Sequence, residues 1–213
     1  MAEVLHRTVT VEADGLSLPG ELAIPEQAIG VVVFAHGSGS SRRSPRNVRV
    51  AERLRAEGLG TMLFDLLTDD EAGDRGKVFD IGLLARRLEE AVGWLGGERA
   101  ARQLPIAFFG ASTGAAAALV AAAHLRADVA AVVSRGGRPD LAADALEAVT
   151  APTLLIVGGA DLQVLELNRQ AQGRLRCETR LEILSGATHL FEEPGALERV
   201  AELAAAWFAD HGD

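Results

Sequence analysis

The chain has one cysteine, no tyrosine and only two tryptophans in 213 residues, and its basic residues are outnumbered by acidic ones, 21 to 30. A lone Cys177 excludes an internal disulfide and any metal cluster built on cysteines. The net charge of −9 disfavours a nucleic-acid partner, because a phosphate backbone is met by a basic surface. No apolar run is long enough to span a bilayer, and residues 1–10 (MAEVLHRTVT) lack the basic and apolar regions of a signal peptide. The expectation is a cytoplasmic protein with no membrane partner. Composition does not shift along the chain, and there is no repeat or long linker, so residues 1–213 read as a single domain. With 48% hydrophobic and 24% charged residues it can bury a substantial core as a monomer or homodimer.

The rest of the chain is organised around residues 105–123, PIAFFGASTGAAAALVAAA. An apolar run ends in Gly110-Ala111-Ser112-Thr113-Gly114, and an Ala-rich helical segment follows at once. This is G-x-S-x-G between a strand and a helix, the setting that exposes a strained serine at the top of a sheet. A small-residue turn would read the same way, so the pentapeptide needs support from elsewhere in the chain.

Before it, residues 4–11 and 16–24 alternate as two strands around Asp14-Gly15, an antiparallel hairpin. Residues 29–35 (IGVVVFA) form a continuous β-branched run, as in a strand buried on both faces. Ser44 and Pro45 supply the cap and first position of a helix that stops at Gly58. A strand over 61–66, an acidic loop over 69–74 and a helix over 78–95 follow. After the serine, strands are expected at 129–133, 153–157 and 180–184, with helices at 140–149, 162–175 and 195–209. Strand–helix alternation of this kind implies an α/β fold, a mostly parallel sheet with helices on both faces. Ligands then bind beyond the carboxyl ends of the strands, where residues 36–41, 110–114, 134–138 and 158–161 fall.

A serine hydroxyl needs a base, usually a histidine held by a carboxylate. His189, in the loop after the last strand, is the best placed of five histidines; His6, His124 and His211 lie elsewhere. The order Ser, Asp, His puts the acid at Asp161, whose competing role is to cap the helix from Leu162. Asp140 is the second choice and Asp65 the third. The loop His36-Gly37-Ser38-Gly39 sits where backbone amides would hold an oxyanion, one from Thr113 and one from Ser38. His36 reads as a brace for that loop. A phosphate cradle is rejected, since the loop lacks both P-loop spacing and a P-loop lysine.

The pieces VVFAHGSG (32–39), FFGASTG (108–114), LLIVGGAD (154–161) and SGATHLFEEP (185–194) together resemble an α/β hydrolase of the dienelactone hydrolase-like group. The resemblance implies the α/β-hydrolase fold and an acyl-enzyme mechanism that needs no cofactor or metal; no long insertion follows residues 129–133, where many relatives of the fold carry a lid domain, so a shallow, open site without a lid is expected. A small ester, lactone or thioester is the expected substrate, with an acyltransferase or thioesterase on the same fold, or a catalytically silent binding module, as the alternatives. Ser112 stands where dienelactone hydrolases proper use cysteine. HGSGSSRRSPRN (36–47) and SRGGRPDL (134–141) also resemble a bacterial subgroup, some of whose members are joined to a phosphoribosyltransferase domain, which this chain lacks. Gly37 and Arg135 are candidates for substrate contact. Arg42, Arg43 and Arg46 read either as a solvated face or ion partners of the 69–74 loop, the preferred reading for Arg42 and Arg43, or, with Arg135 and Arg138, as contacts for a carboxylate- or phosphate-bearing substrate. The acidic run itself lacks an EF-hand pattern and reads as solvated.

Overall fold

The computed structural model describes residues 4–212. Eight strands form one sheet: β1 (Val4–Ala13), β2 (Leu16–Pro25), β3 (Gly30–Ala35), β4 (Leu59–Phe64), β5 (Ile106–Ala111), β6 (Ala131–Arg135), β7 (Thr153–Gly158) and β8 (Thr179–Leu184). Their spatial order is β1-β2-β4-β3-β5-β6-β7-β8. The β1–β2 and β2–β4 pairs are antiparallel, and every pair from β4 to β8 is parallel. Seven helices accompany them: α1 (Pro45–Ala56), α2 (Asp69–Ala72), α3 (Arg75–Val78), α4 (Ile81–Gly97), α5 (Thr113–Leu125), α6 (Leu162–Arg174) and α7 (Ala196–Asp210).

Strand alternation divides the core between the two faces. Val31 and Val33 pack with Leu84, Leu88 and the alanines of α5 on one side. Val32 and Phe34 pack with Val50 and Leu54 of α1 and Val200 and Phe208 of α7 on the other. Only small side chains let α5 lie this close to the sheet, and its Ala115–Ala118 run is fully buried.

Ser44 caps α1 with Pro45 at the first position, as its sequence predicts. Several segments differ from the sequence reading. β4 runs over 59–64 rather than 61–66, and α4 begins at Ile81 rather than 78, capped by Asp80. Strand β6 starts two residues late and runs through Ser134 and Arg135, whose backbones pair with Gly110 and Ala111. Backbone pairing there overrides polar side chains. The expected helix over 140–149 is two short 3-10 turns, Pro139–Ala142 and Leu146–Ala148, which leaves no lid between β6 and β7. The acidic run is exposed at Asp69, Asp70 and Asp74, as expected, but it is not a loop. Thr68 and Glu71 form a reciprocal capping box that makes it α2, and Glu71 is buried against Arg87. No helix among the described residues is long and apolar enough to cross a membrane.

Candidate active site

Ser112 occupies the turn between β5 and α5 with φ 52° and ψ −120°, a region costly for any residue with a side chain. It stands at the N-cap of α5, yet its hydroxyl makes no cap bond and is left for other use. A Cβ at Gly110 would run into the Ala115 backbone, and one at Gly114 into the Ala35 carbonyl, so the turn admits only glycine there. Both backbone ends of Ser112 are tied to β6 and the turn beyond it. Its N–H donates to the Arg135 carbonyl at 3.2 Å, and its carbonyl accepts from the Arg138 N–H at 3.1 Å.

His189 lies between β8 and α7, in a loop pinned where Thr188 donates to Glu193 through N–H (3.1 Å) and hydroxyl (2.6 Å). The Asp161 carboxylate spans two duties. Its Oδ2 is 2.8 Å from His189 Nδ1, and its Oδ1 accepts from the Val164 amide at 3.4 Å, the N-cap bond of α6. The cap and the histidine contact thus coexist, one oxygen each. The other two carboxylates weighed for this position are committed to arginines. Asp140 accepts from Arg138 through both oxygens at 2.8 and 2.7 Å. Asp65 accepts from the Arg42 amide at 2.7 Å and pairs with its guanidinium. Arg42 therefore serves Asp65, not the 69–74 segment.

Gly37 brings the 36–41 loop against Ser112: a Cβ on it would stand 3.0 Å from that of the serine. His36 braces the loop from below. Its Nε2 accepts from the Leu66 amide at 3.0 Å and its Nδ1 contacts the Gly37 carbonyl at 3.1 Å, which leaves Nδ1 as the protonated nitrogen. Burial lowers its pKa and keeps it neutral. The Ser38 amide donates to Thr113 Oγ1 at 2.8 Å. Sequence reasoning assigned that amide to an oxyanion and overlooked the Thr113 hydroxyl beside it. A threonine directly after Ser112 was the available signal.

A family model for the dienelactone hydrolase family matches residues 18–210. The chain belongs to the dienelactone hydrolase family. It is 53% identical to a dienelactone hydrolase from Anabaena variabilis of known crystal structure, with a TM-score of 0.96 over 99% of both chains. Est1E from Butyrivibrio proteoclasticus shares the fold at 17% identity, with a TM-score of 0.82 over 96% of this chain and 98% of that one. A Mycobacterium tuberculosis (H37Rv) protein provisionally named a phosphoribosyl transferase is 59% identical over 203 residues, or 95% of this chain. The chain spans about half (46%) of that relative's length.

For a dienelactone hydrolase family member, the arginines around the site are unevenly satisfied. Arg42 and Arg138 are paired, and Arg46 reaches Glu192 at 3.1 Å. Arg135 is buried, and its Nε and Nη1 find no hydrogen-bond partner among the described residues. A cavity of about 480 Å³ opens beyond the 36–41 loop, lined by Gly37, Ser38, Arg43, Arg46 and Asp65 among others. Ser112, Asp161 and His189 do not line it.

Proposed function

We propose that this hydrolase-family protein is a serine hydrolase acting on carboxylic esters or lactones of small acids. Ser112 is its nucleophile, His189 its general base and Asp161 the carboxylate that orients the base. The observation that carries the reading is the 2.8 Å contact of Asp161 Oδ2 with His189 Nδ1, in a sheet whose β5 leads into a serine of strained elbow geometry. Asp161 holds the proton on Nδ1, which leaves Nε2 free to accept the Ser112 proton.

Ser112 Oγ attacks the ester carbonyl as His189 takes its proton, giving a tetrahedral intermediate. Collapse expels the alcohol, which takes the proton from His189 and leaves an acyl-serine. Water, deprotonated by His189, then attacks the acyl carbon, and Ser112 leaves with the proton restored. The oxyanion rests on the Thr113 amide. Its second donor is the Thr113 hydroxyl: Oγ1 accepts from the Ser38 amide, which leaves its own hydrogen to point at the oxyanion. Ser38 then acts through Thr113. No step requires a cofactor. The open β6–β7 connection suits a short acyl group, and a cytoplasmic setting fits the sequence. Phosphoribosyl transfer belongs to the name of a relative about twice as long and is not extended to this chain.

A fluorophosphonate probe with intact-mass detection tests the reading. One adduct on wild type, absent from Ser112→Ala, is expected. A folded wild type that takes no adduct overturns it.

A further inference from the structure

Helix α6 buries four residues, Val164, Leu165, Asn168 and Ala171, and of these Asn168 alone is polar. Asn168 is 0% exposed. Its Nδ2 donates to the Val164 carbonyl, one turn back, at 2.8 Å and across to the Gly137 carbonyl at 3.0 Å. Its Oδ1 is buried and has no hydrogen-bond partner among the described residues. A leucine of similar volume would add apolar burial here and strand no amide oxygen, so packing alone does not ask for asparagine. What a leucine could not make is the bond to Gly137.

The turn that accepts this bond, residues 136–138, touches every part of the Ser112, His189 and Asp161 set. The Ser112 carbonyl accepts from the Arg138 N–H at 3.1 Å, and the Ser112 N–H donates to the Arg135 carbonyl just before the turn. Gly136, at φ 52°, lies against the base: a Cβ on it would stand 3.2 Å from the His189 carbonyl and 3.6 Å from the ring Cε1. The Gly136 N–H donates at 2.8 Å to the Ile156 carbonyl of β7, the strand that leads to Asp161. These hydrogen bonds all run between backbone atoms. Among the described residues, the side chain that bonds this turn from another element is that of Asn168.

Asp161 and Asn168 sit on one rigid rod. Asp161 caps α6 through Oδ1 and reaches His189 through Oδ2. Asn168 stands two turns further on, about 10 Å along the helix axis. We propose that Asn168 is a positioning residue: by tying α6 to the 136–138 turn, it sets where the Asp161–His189 pair stands relative to Ser112. The catalytic consequence rests on the serine-hydrolase reading; the tie itself does not. Asn168 touches no reacting atom and acts through Gly137. A misplacement of about 1 Å in such a set costs about 10²-fold in rate.

Asn168→Leu keeps the volume and removes both donated bonds. Its kcat on a short p-nitrophenyl ester is expected to fall about 10- to 100-fold with KM little changed. A merely structural asparagine would move the melting midpoint and leave kcat of the folded protein alone. Should Asn168→Leu fail to fold, the nearly isosteric Asn168→Asp, which sets an oxygen against both carbonyls, is expected to show the same loss in kcat. Amide hydrogen exchange at the Arg138 N–H, the bond to Ser112, reads the tie without any substrate. Its protection is expected to fall about 10-fold in the variant while that of β1 and β2 is unchanged. Wild-type kcat in the folded variant overturns the proposal and leaves the esterase reading standing. Lost kcat with unchanged protection at Arg138 overturns it as well, because the turn is then not the route. Lost protection in the variant of a protein whose wild type takes no fluorophosphonate adduct supports the tie and overturns only the serine-hydrolase reading.

Discussion

Replacing Asp161 by asparagine separates its two duties. The cap bond to the Val164 amide uses Oδ1, which asparagine keeps, and asparagine caps helices as well as aspartate does. The contact with His189 Nδ1 uses Oδ2, where asparagine presents an NH2 group. That group donates to Nδ1, moves the histidine proton to Nε2 and disables the base. A triad whose carboxylate is converted to the amide loses about 10⁴ in kcat, or about 5 kcal/mol of transition-state stabilisation. Stability should hardly move. Asp161→Ala removes both contacts, and since the cap bond is long at 3.4 Å its loss costs about 0.5 kcal/mol, the low end for a cap. For a chain of this size that lowers the melting midpoint by about 1–2 °C. Steady-state hydrolysis of a short p-nitrophenyl ester, run beside thermal melts of all three proteins, measures both effects. Asp161→Asn retaining more than a tenth of wild-type kcat would refute the assignment of the acid.

Thr113→Val removes the hydroxyl while keeping the side-chain shape and the backbone amide. A fall in kcat of about 10²-fold with KM little changed is expected, with partial recovery in Thr113→Ser. Equal or higher activity in the valine variant would show instead that freeing the Ser38 amide suffices. The Glu71–Arg87 pair makes an acid-stability prediction. Arg87 and the neighbouring donors hold the Glu71 pKa at about 2, below its ordinary 4.5. A depressed carboxylate stabilises the fold above its unfolded value and loses that contribution as pH falls through its folded value. Wild type should therefore lose stability between pH 4.5 and about 2, and Glu71→Gln should show a shallower loss there. At neutral pH the variant should be about 3 kcal/mol less stable by urea denaturation, because Arg87 stays buried with a weakened partner.

Much of this molecule was legible because its signals are local. The β-branched run of β3, the Ser44-Pro45 start of α1 and the elbow around Ser112 each carry their meaning within a few residues. Strand order narrows the histidine to His189 and the carboxylate to Asp161, Asp140 or Asp65, and only the contact in three dimensions singles out Asp161. What escaped depends on groups that meet only in three dimensions. Nothing near Arg87 in sequence announces Glu71, and nothing near Arg42 announces Asp65. The slip in β6 has a related cause: Ser134 and Arg135 look like a loop, but the ladder with β5 needs their backbone whatever their side chains. The capping box of α2 was a local signal, overlooked because four acidic residues in six suggested solvent. The isolation of Arg135 was the least readable property, since a missing partner has no sequence signature.

The backbone at Ser112 has a bearing on how such a protein ages through evolution. A side chain at φ 52° and ψ −120° costs about 1–3 kcal/mol, and glycine there would cost far less. Drift under demand for folding alone would thus drain serine from this position and leave a sturdier, inert descendant. A lineage that keeps serine here does so against that gradient. On the serine-hydrolase reading, a serine or cysteine kept at position 112 against that gradient records a chemistry still under selection.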